Sequence, residues 1–301
     1  MANDSIRRGF VTIATGSEKY YHLAVNLLRS YRLHNTDDTP FAILCDRQHP
    51  LTAEFDHVVI MDESTCSYLD KLQLCRWSPY EESMFVDADS LFLKDPAPLW
   101  EDFSLGGDFS CYGKRLPLDS PAGWFDHRAL GELSKQVSFN ISMHGGLYYF
   151  RRTDTCREVF TRAEYLSDNF SRFGFRYFEK PADEPVLALA MAAAGWEPCP
   201  VKGRIAFVPT LESQLRVSAS GTVLQNGKAC ESILIHFTTG NTRRFMYHYL
   251  LKAQEKTGVH MGTFLLMGLR FLPLETAIRL SRVIRRFLPH SLWIRLRQLV
   301  K

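Results

Sequence analysis

Short apolar runs alternate with amphipathic ones through the first ninety residues, and this alternation restricts the fold more than any other feature of the chain. Phe10-Val11-Thr12-Ile13-Ala14 is apolar and β-branched, and it passes through Thr15-Gly16-Ser17 into a helical pattern carried by Leu23, Leu27, Leu28 and Tyr31. Phe41-Ala42-Ile43-Leu44-Cys45 reads as a second buried strand and His57-Val58-Val59-Ile60-Met61 as a third. Ser67 to Trp77 then suits a helix carrying Leu69, Leu72 and Leu74. Strands alternating with helices predict an α/β fold, a mostly parallel central sheet flanked by helices, in which ligands sit beyond the carboxyl ends of the strands.

The next strand, Met84-Phe85-Val86, is followed by Asp87-Ala88-Asp89 before the apolar pattern resumes at Ser90-Leu91-Phe92-Leu93. Residues i and i+2 of a strand point to the same side, so the two carboxylates can converge on one point past the strand end. Burying two acids there is costly unless something cationic compensates. A hard divalent cation, magnesium or manganese, suits the pair and keeps coordination places for water and for the phosphates of a substrate. The pair therefore predicts a metal that holds a nucleotide.

From Glu101 to Asn140 the chain turns to Gly, Pro, Asp and Ser with isolated aromatics, which reads as loops and short elements of the kind that form a mobile lid. Gly145-Gly146-Leu147-Tyr148-Tyr149-Phe150 is a strand opened by glycines, and a helix follows near Thr155 to Leu166. Asp183-Glu184 places acids at the first turn of a helix from Val186 to Ala194, as the helix dipole favours. Ile233-Leu234-Ile235-His236-Phe237 is the last buried strand.

With 301 residues, 46% of them hydrophobic, the chain can bury a full core as one large domain or two small ones. Its net charge of +3 conceals an asymmetry: residues 262–301 hold eight Arg and Lys against Glu275 alone, and the first 261 residues are net acidic. No nucleic-acid partner is expected. The seven cysteines are scattered, without C-x-x-C or zinc-like spacing, and the N-terminus has no apolar signal region. A reducing, cytoplasmic compartment is expected.

Two stretches, Lys71-Leu72-Gln73-Leu74-Cys75-Arg76-Trp77-Ser78 and Met84 to Leu91, resemble the helix and metal strand of family 8 glycosyltransferases, the group that contains glycogenin. The resemblance runs through most of residues 10–250 and implies the GT-A nucleotide-diphospho-sugar transferase fold. It implies a catalytic domain over residues 1–261, with about 1–105 binding nucleotide and 106–261 binding acceptor. It also implies a metal-dependent, retaining transfer of a sugar from a UDP-sugar donor to a glycan or glycolipid. The metal, Mn2+ or Mg2+, would be held by Asp87, Asp89 and His236, the last in His236-Phe237-Thr238-Thr239-Gly240-Asn241-Thr242-Arg243, which resembles the family's late histidine motif. Gly240 and a basic residue, Arg243 or Arg244 in place of the family's lysine, would serve the phosphates. Ala14, Thr15 and Tyr20 match the first nucleotide-binding loop, with the tyrosine on the base. Ala88 belongs to the metal motif, Lys71 lies near the donor sugar, and Gly145 and Gly146 match a glycine strand start. Asp183 and Glu184 match an Asp-Gln pair beside the sugar; Glu184 replaces the glutamine and His144 an asparagine. With Lys71 they are the candidate catalytic residues.

Two alternatives to the transferase are a catalytically silent binding protein and a sugar nucleotidyltransferase. Residues 14–20 lack the Gly-rich, Arg-containing loop expected of the latter. Within residues 262–301, Glu275, Arg279, Arg282 and Arg286 form one polar stripe opposite Ile278, Ile284 and Leu288, and Trp293 adds an aromatic anchor. This basic amphipathic helical tail suits an anionic membrane surface, giving a peripheral protein on the cytoplasmic face with a lipid-linked acceptor. Packing on the catalytic domain or across a homodimer is the alternative.

Overall fold

The computed structural model describes residues 7–103, 106–200, 203–207, 215–217, 223–225, 228–229, 232–238, 242, 247–248, 251 and 276. The chain forms two compact units, residues 1–205 with 232–234 and residues 206–231 with 235–301. The basic tail, Gly240, Arg243 and Arg244 fall outside the described residues, apart from Thr276.

The first unit opens with β1 (Arg8–Ala14), α1 (Glu18–His34), β2 (Phe41–Cys45) and β3 (His57–Ile60). A 3-10 helix (Tyr68–Gln73) runs into the single turn of α2 (Leu74–Trp77), followed by β4 (Glu82–Val86), β5 (Ser90–Phe92) and α3 (Ala97–Phe103). Next come β6 (Phe109–Leu116), β7 (Asn140–Arg151), α4 (Asp154–Asp168) and α5 (Asp183–Ala193). Six of these strands make one sheet in the order β3-β2-β1-β4-β7-β6. The first four are parallel, with Ile13 opposite Leu44 and Phe10 opposite Met84. β7 runs antiparallel to both β4 and β6, with Val86 opposite Leu147. The mostly parallel, helix-flanked α/β sheet is thus the one expected.

Period-two alternation sorts the two faces. Phe10 points to the α1 side, where its ring lies 4.9 Å from Tyr31 and 5.1 Å from Trp100. Val11, Leu44, Phe85, Tyr148 and Phe150 point to the other face, into one cluster with α4 and α5. Every residue from Pro185 to Ala192 on α5 is buried, so this helix is apolar all round. Each of its Val, Leu and Met side chains contributes about 1.5–3 kcal/mol by leaving water. A close approach marks the start of β1: a Cβ on Gly9 would lie 2.3 Å from the Tyr80 ring.

Three expectations change. Residues 101–140, expected as loops and short elements, also hold the eight-residue strand β6, beside the end of α3; β6 pairs with β7, and that pairing overrides its glycine and charged residues. Gly145 and Gly146 lie inside β7, which begins five residues earlier at Asn140. The helix expected over Ser67–Trp77 is a 3-10 turn followed by one α turn, capped by Ser67, whose hydroxyl accepts from the Leu69 amide.

β8 (Ile205–Phe207) and β12 (Leu234–His236) are the strands on which the chain passes between the two units. Within the first unit, Leu93 donates to the Ile233 carbonyl and Ile233 to that of Arg204. Between β8 and β12, the second unit has an antiparallel meander of β9 (Leu215–Val217), β10 (Val223–Gln225) and β11 (Lys228–Ala229). Among the described residues, no helix is long and apolar enough to cross a membrane.

Candidate active site

β1 and β2 end at Ala14 and Cys45, which are in register, and β4 ends at Val86, so the loops after them gather along one edge of the sheet. Asp87-Ala88-Asp89 does not continue β4. It is a tight turn into β5, with Ser90 donating to the Asp87 carbonyl at 3.0 Å and Asp87 donating to that of Gly146 at 2.9 Å. The proximity of the two acids therefore comes from a turn rather than from strand alternation. Ala88 and Asp89 are buried and Asp87 is half-buried.

Lys71 is the centre of the charge arrangement. Its Nζ lies 2.8 Å from Asp87 Oδ2, 3.2 Å from Asp183 Oδ2 and 3.3 Å from the Gly145 carbonyl, and 5.5 Å from the centroid of the Phe85 ring. Burial would pull its pKa down, but Asp183 and Asp87, with Glu184 behind them, hold it well above the usual lysine range. The exposed position common for a helix lysine is not the one found.

Asp183 opens α5, and its Oδ2 also accepts from the Tyr148 hydroxyl at 2.6 Å. Burial, then the nearby carboxylates of Asp183 and Glu184, push the Tyr148 phenol far up, so it remains a donor. Glu184 turns toward the sheet and accepts from the Gly145 amide at 2.7 Å. Glycine at 145 leaves room for this contact, because a Cβ there would lie 2.4 Å from Glu184 Cγ and displace that side chain. The next amide, Gly146, donates to His144 Nδ1 at 3.2 Å. Lys71, Asp87, Gly145, Asp183 and Glu184 thus form one connected cluster, with Tyr148 as a member that sequence reasoning missed. Tyr148 reads as one more apolar strand residue; its place two positions after Gly146 was the only available cue.

The loop after β1 forms the other half of the site. Ala14 and Thr15 are buried, and Thr15 Oγ1 donates to Asp70 Oδ2 at 2.9 Å. Tyr20 is exposed at the start of α1, whereas its neighbour Tyr21 is fully buried, stacked on His49 at 4.3 Å and bonded to Asp46 Oδ1 at 2.6 Å. Tyr20 is therefore the tyrosine able to meet a ligand. Asp46 and Asp70 were not singled out from sequence, since single acids in polar stretches carry no distinguishing pattern. His236 is buried at the end of β12.

No family model matches the sequence, and no curated protein matches it. Solved structures do. The apo structure of WbbM, a bifunctional glycosyltransferase, matches with a TM-score of 0.53 at 12% identity over 80% of this chain and 47% of that one. The galactosyltransferase LgtC, solved with donor and acceptor sugar analogues, matches with a TM-score of 0.49 at 12% identity over 76% of this chain and 87% of that one. The glycosyltransferase GlyE of Streptococcus pneumoniae TIGR4 gives 0.41 at 12% over 62% and 43%. The likeness to WbbM, with the sheet order above, establishes the expected GT-A fold.

Proposed function

We propose that this chain is a glycosyltransferase that moves a sugar from a nucleotide-sugar donor, a UDP-sugar, to a glycan or glycolipid acceptor with retention of configuration. The observation that carries the reading is the buried cluster in which one lysine joins Asp87 to Asp183 at the ligand-binding edge of a GT-A sheet. A buried lysine held charged at such an edge by facing carboxylates is a feature of reaction sites.

The metal ligands proposed are Asp87, Asp89 and His236, a set of two carboxylates and an imidazole that could hold a divalent ion. Hard carboxylate oxygens with one neutral imidazole suit Mn2+ or Mg2+. The ion would offset the charge that grows on a leaving nucleoside diphosphate. The chain's own residues do the remaining work. Lys71 stays protonated between Asp87 and Asp183 and adds fixed positive charge beside the donor sugar. Tyr148 fixes the rotamer of Asp183, and the Gly145 amide fixes Glu184, so both acids are preorganised to orient sugar and acceptor hydroxyls. Tyr20 would stack on the base.

The test is incubation with a panel of UDP-sugars and Mn2+, following UDP release by slow donor hydrolysis. UDP release that disappears with a chelator supports the reading. Pyrophosphate release from a nucleoside triphosphate would favour a nucleotidyltransferase instead, and failure to bind UDP would favour a silent binding protein.

We propose further that residues 262–301 attach the enzyme to the cytoplasmic face of an anionic membrane, near a lipid-linked acceptor. The support is the net charge of +7 from eight basic residues and Glu275, with each basic residue near the surface contributing about 1 kcal/mol. Attachment of this kind weakens as salt rises. Co-sedimentation with anionic and neutral vesicles, comparing the full chain with one ending at Gly262, tests it; equal binding by both would remove the tail from the mechanism.

A further inference from the structure

Asp70 is fully buried, yet among the described residues it forms no salt bridge with a lysine or arginine. A carboxylate taken out of water without a cation has to be satisfied by hydrogen bonds alone. Four donors meet it. Oδ1 accepts from the Thr65 amide at 2.7 Å and the Thr65 hydroxyl at 2.8 Å; Oδ2 accepts from Thr15 Oγ1 at 2.9 Å and Ser64 Oγ at 2.8 Å. About four lone-pair sites are all that a carboxylate offers, so its capacity is used in full.

Those donors belong to two different loops, the one after β1 and residues 64–67. The loops touch where both backbones turn left-handed, at Gly16 (φ +72°) and Cys66 (φ +54°), and a Cβ on Gly16 would lie 3.1 Å from Cys66 Cβ. On the outer side, Arg47 Nη1 donates to the Gly16 carbonyl at 2.9 Å. Asp70 also immediately precedes Lys71 on the 3-10 helix. Successive residues of such a helix are about 120° apart, so the two side chains face different ways. Asp70 faces Thr15, and Lys71 faces Asp87 and Asp183.

We propose that Asp70 is a positioning residue for the donor: it clamps the loop after β1 at a set distance from Lys71, so that the nucleoside and sugar ends of one nucleotide-sugar meet preformed partners. This rests on the reading of Ala14, Thr15 and Tyr20 as a nucleotide-binding loop. Apolar packing at the same point would hold the helix without a buried charge; only an acceptor of four bonds ties both loops to it at once.

The test uses the full chain, with calorimetric titration of UDP in the presence of Mn2+ and steady-state turnover of the preferred UDP-sugar. Asp70→Ala is expected to raise the UDP Kd and the donor KM by about tenfold, the equivalent of one charge-assisted hydrogen bond, while kcat changes far less. Asp70→Asn is expected to recover most of that loss. Its amide can donate to the Thr15 and Ser64 hydroxyls, which then act as acceptors, while its carbonyl keeps both Thr65 bonds. Thr15→Val should raise the Kd in the parent and add nothing in the Asp70→Ala background. If Asp70→Ala does not fold, Thr15→Val is compared in the parent and in the Asp70→Asn chain: a smaller rise in Kd in the latter, where a neutral bond replaces a charge-assisted one, supports the clamp, and an equal rise overturns it. An unchanged Kd in Asp70→Ala or Thr15→Val, or a loss confined to kcat, overturns the clamp while leaving the transferase reading in place. A parent chain that binds no UDP overturns both.

Discussion

Lys71 Nζ and Asp87 Oδ2 are 2.8 Å apart, so the buried lysine of the short helix and the half-buried acid of the turn after β4 form an ion pair, which the buried Asp183 extends. Removing one member of such a pair leaves uncompensated charge in a water-poor site. Lys71→Met is therefore expected to cost about 3–5 kcal/mol of stability, read from urea unfolding, and to abolish donor turnover. Lys71→Met combined with Asp87→Asn should unfold at a higher urea concentration than Lys71→Met alone, because one orphaned charge is gone. Equal midpoints would mean that the two groups are not coupled.

Asp89→Ala tests the metal. Binding to the native state alone raises stability by mass action, so Mn2+ should raise the melting temperature of the parent chain in a concentration-dependent way. The variant should lose that response and its turnover while melting within a few degrees of the metal-free parent. A preserved Mn2+ response would move the metal away from this acid.

Gly145→Ala tests the link between β7 and α5. The added methyl would come within 2.6 Å of Glu184 Oε1 and has to displace that side chain, breaking the 2.7 Å bond to the Gly145 amide. The expected result is a loss of kcat of at least about tenfold with the KM for donor changed less, since a displaced acid costs roughly one well-placed interaction. Unchanged kcat would show that Glu184 does not need this position.

Tyr80 gives a prediction about pH. Burial, with the Asp56 charge adding to it, pushes its phenol far above the ordinary value of 10.0, and its buried hydroxyl has no hydrogen-bond partner among the described residues. A group whose folded pKa is raised contributes stability that is complete below the unfolded value and is lost as pH rises above it. Tyr80→Phe removes both the orphaned hydroxyl and this loss. It should be neutral or stabilising by about 1 kcal/mol at neutral pH, with a shallower fall in stability above pH ~10. Guanidinium unfolding at pH 7 and pH 10.5 measures both effects. A clear destabilisation would show that the hydroxyl has a partner.

The local sequence determined the elements that depend on local pattern. β1, β2, β3 and β4 are short apolar runs between turn residues, and α1 and α4 follow their 3.6-residue stripes, so their places could be read directly. The parallel part of the sheet and the edge at which Asp87 and Asp89 sit follow from the alternation itself. Tertiary structure decided the rest. β6 is a strand because β7 pairs with it, although Gly113, Lys114 and Arg115 give it no strand-like pattern of their own. Asp87 and Asp89 sit in a turn whose first amide bonds to the Gly146 carbonyl, almost sixty residues later in the chain. Tyr148 and Asp70 are ordinary residues in sequence, and Lys71 and Asp183 stand out there only through the family resemblance. Their burial, and the charges and hydroxyls that face them, come from segments far apart in the chain, and side-chain environment at that range leaves no periodic trace in the sequence that builds it.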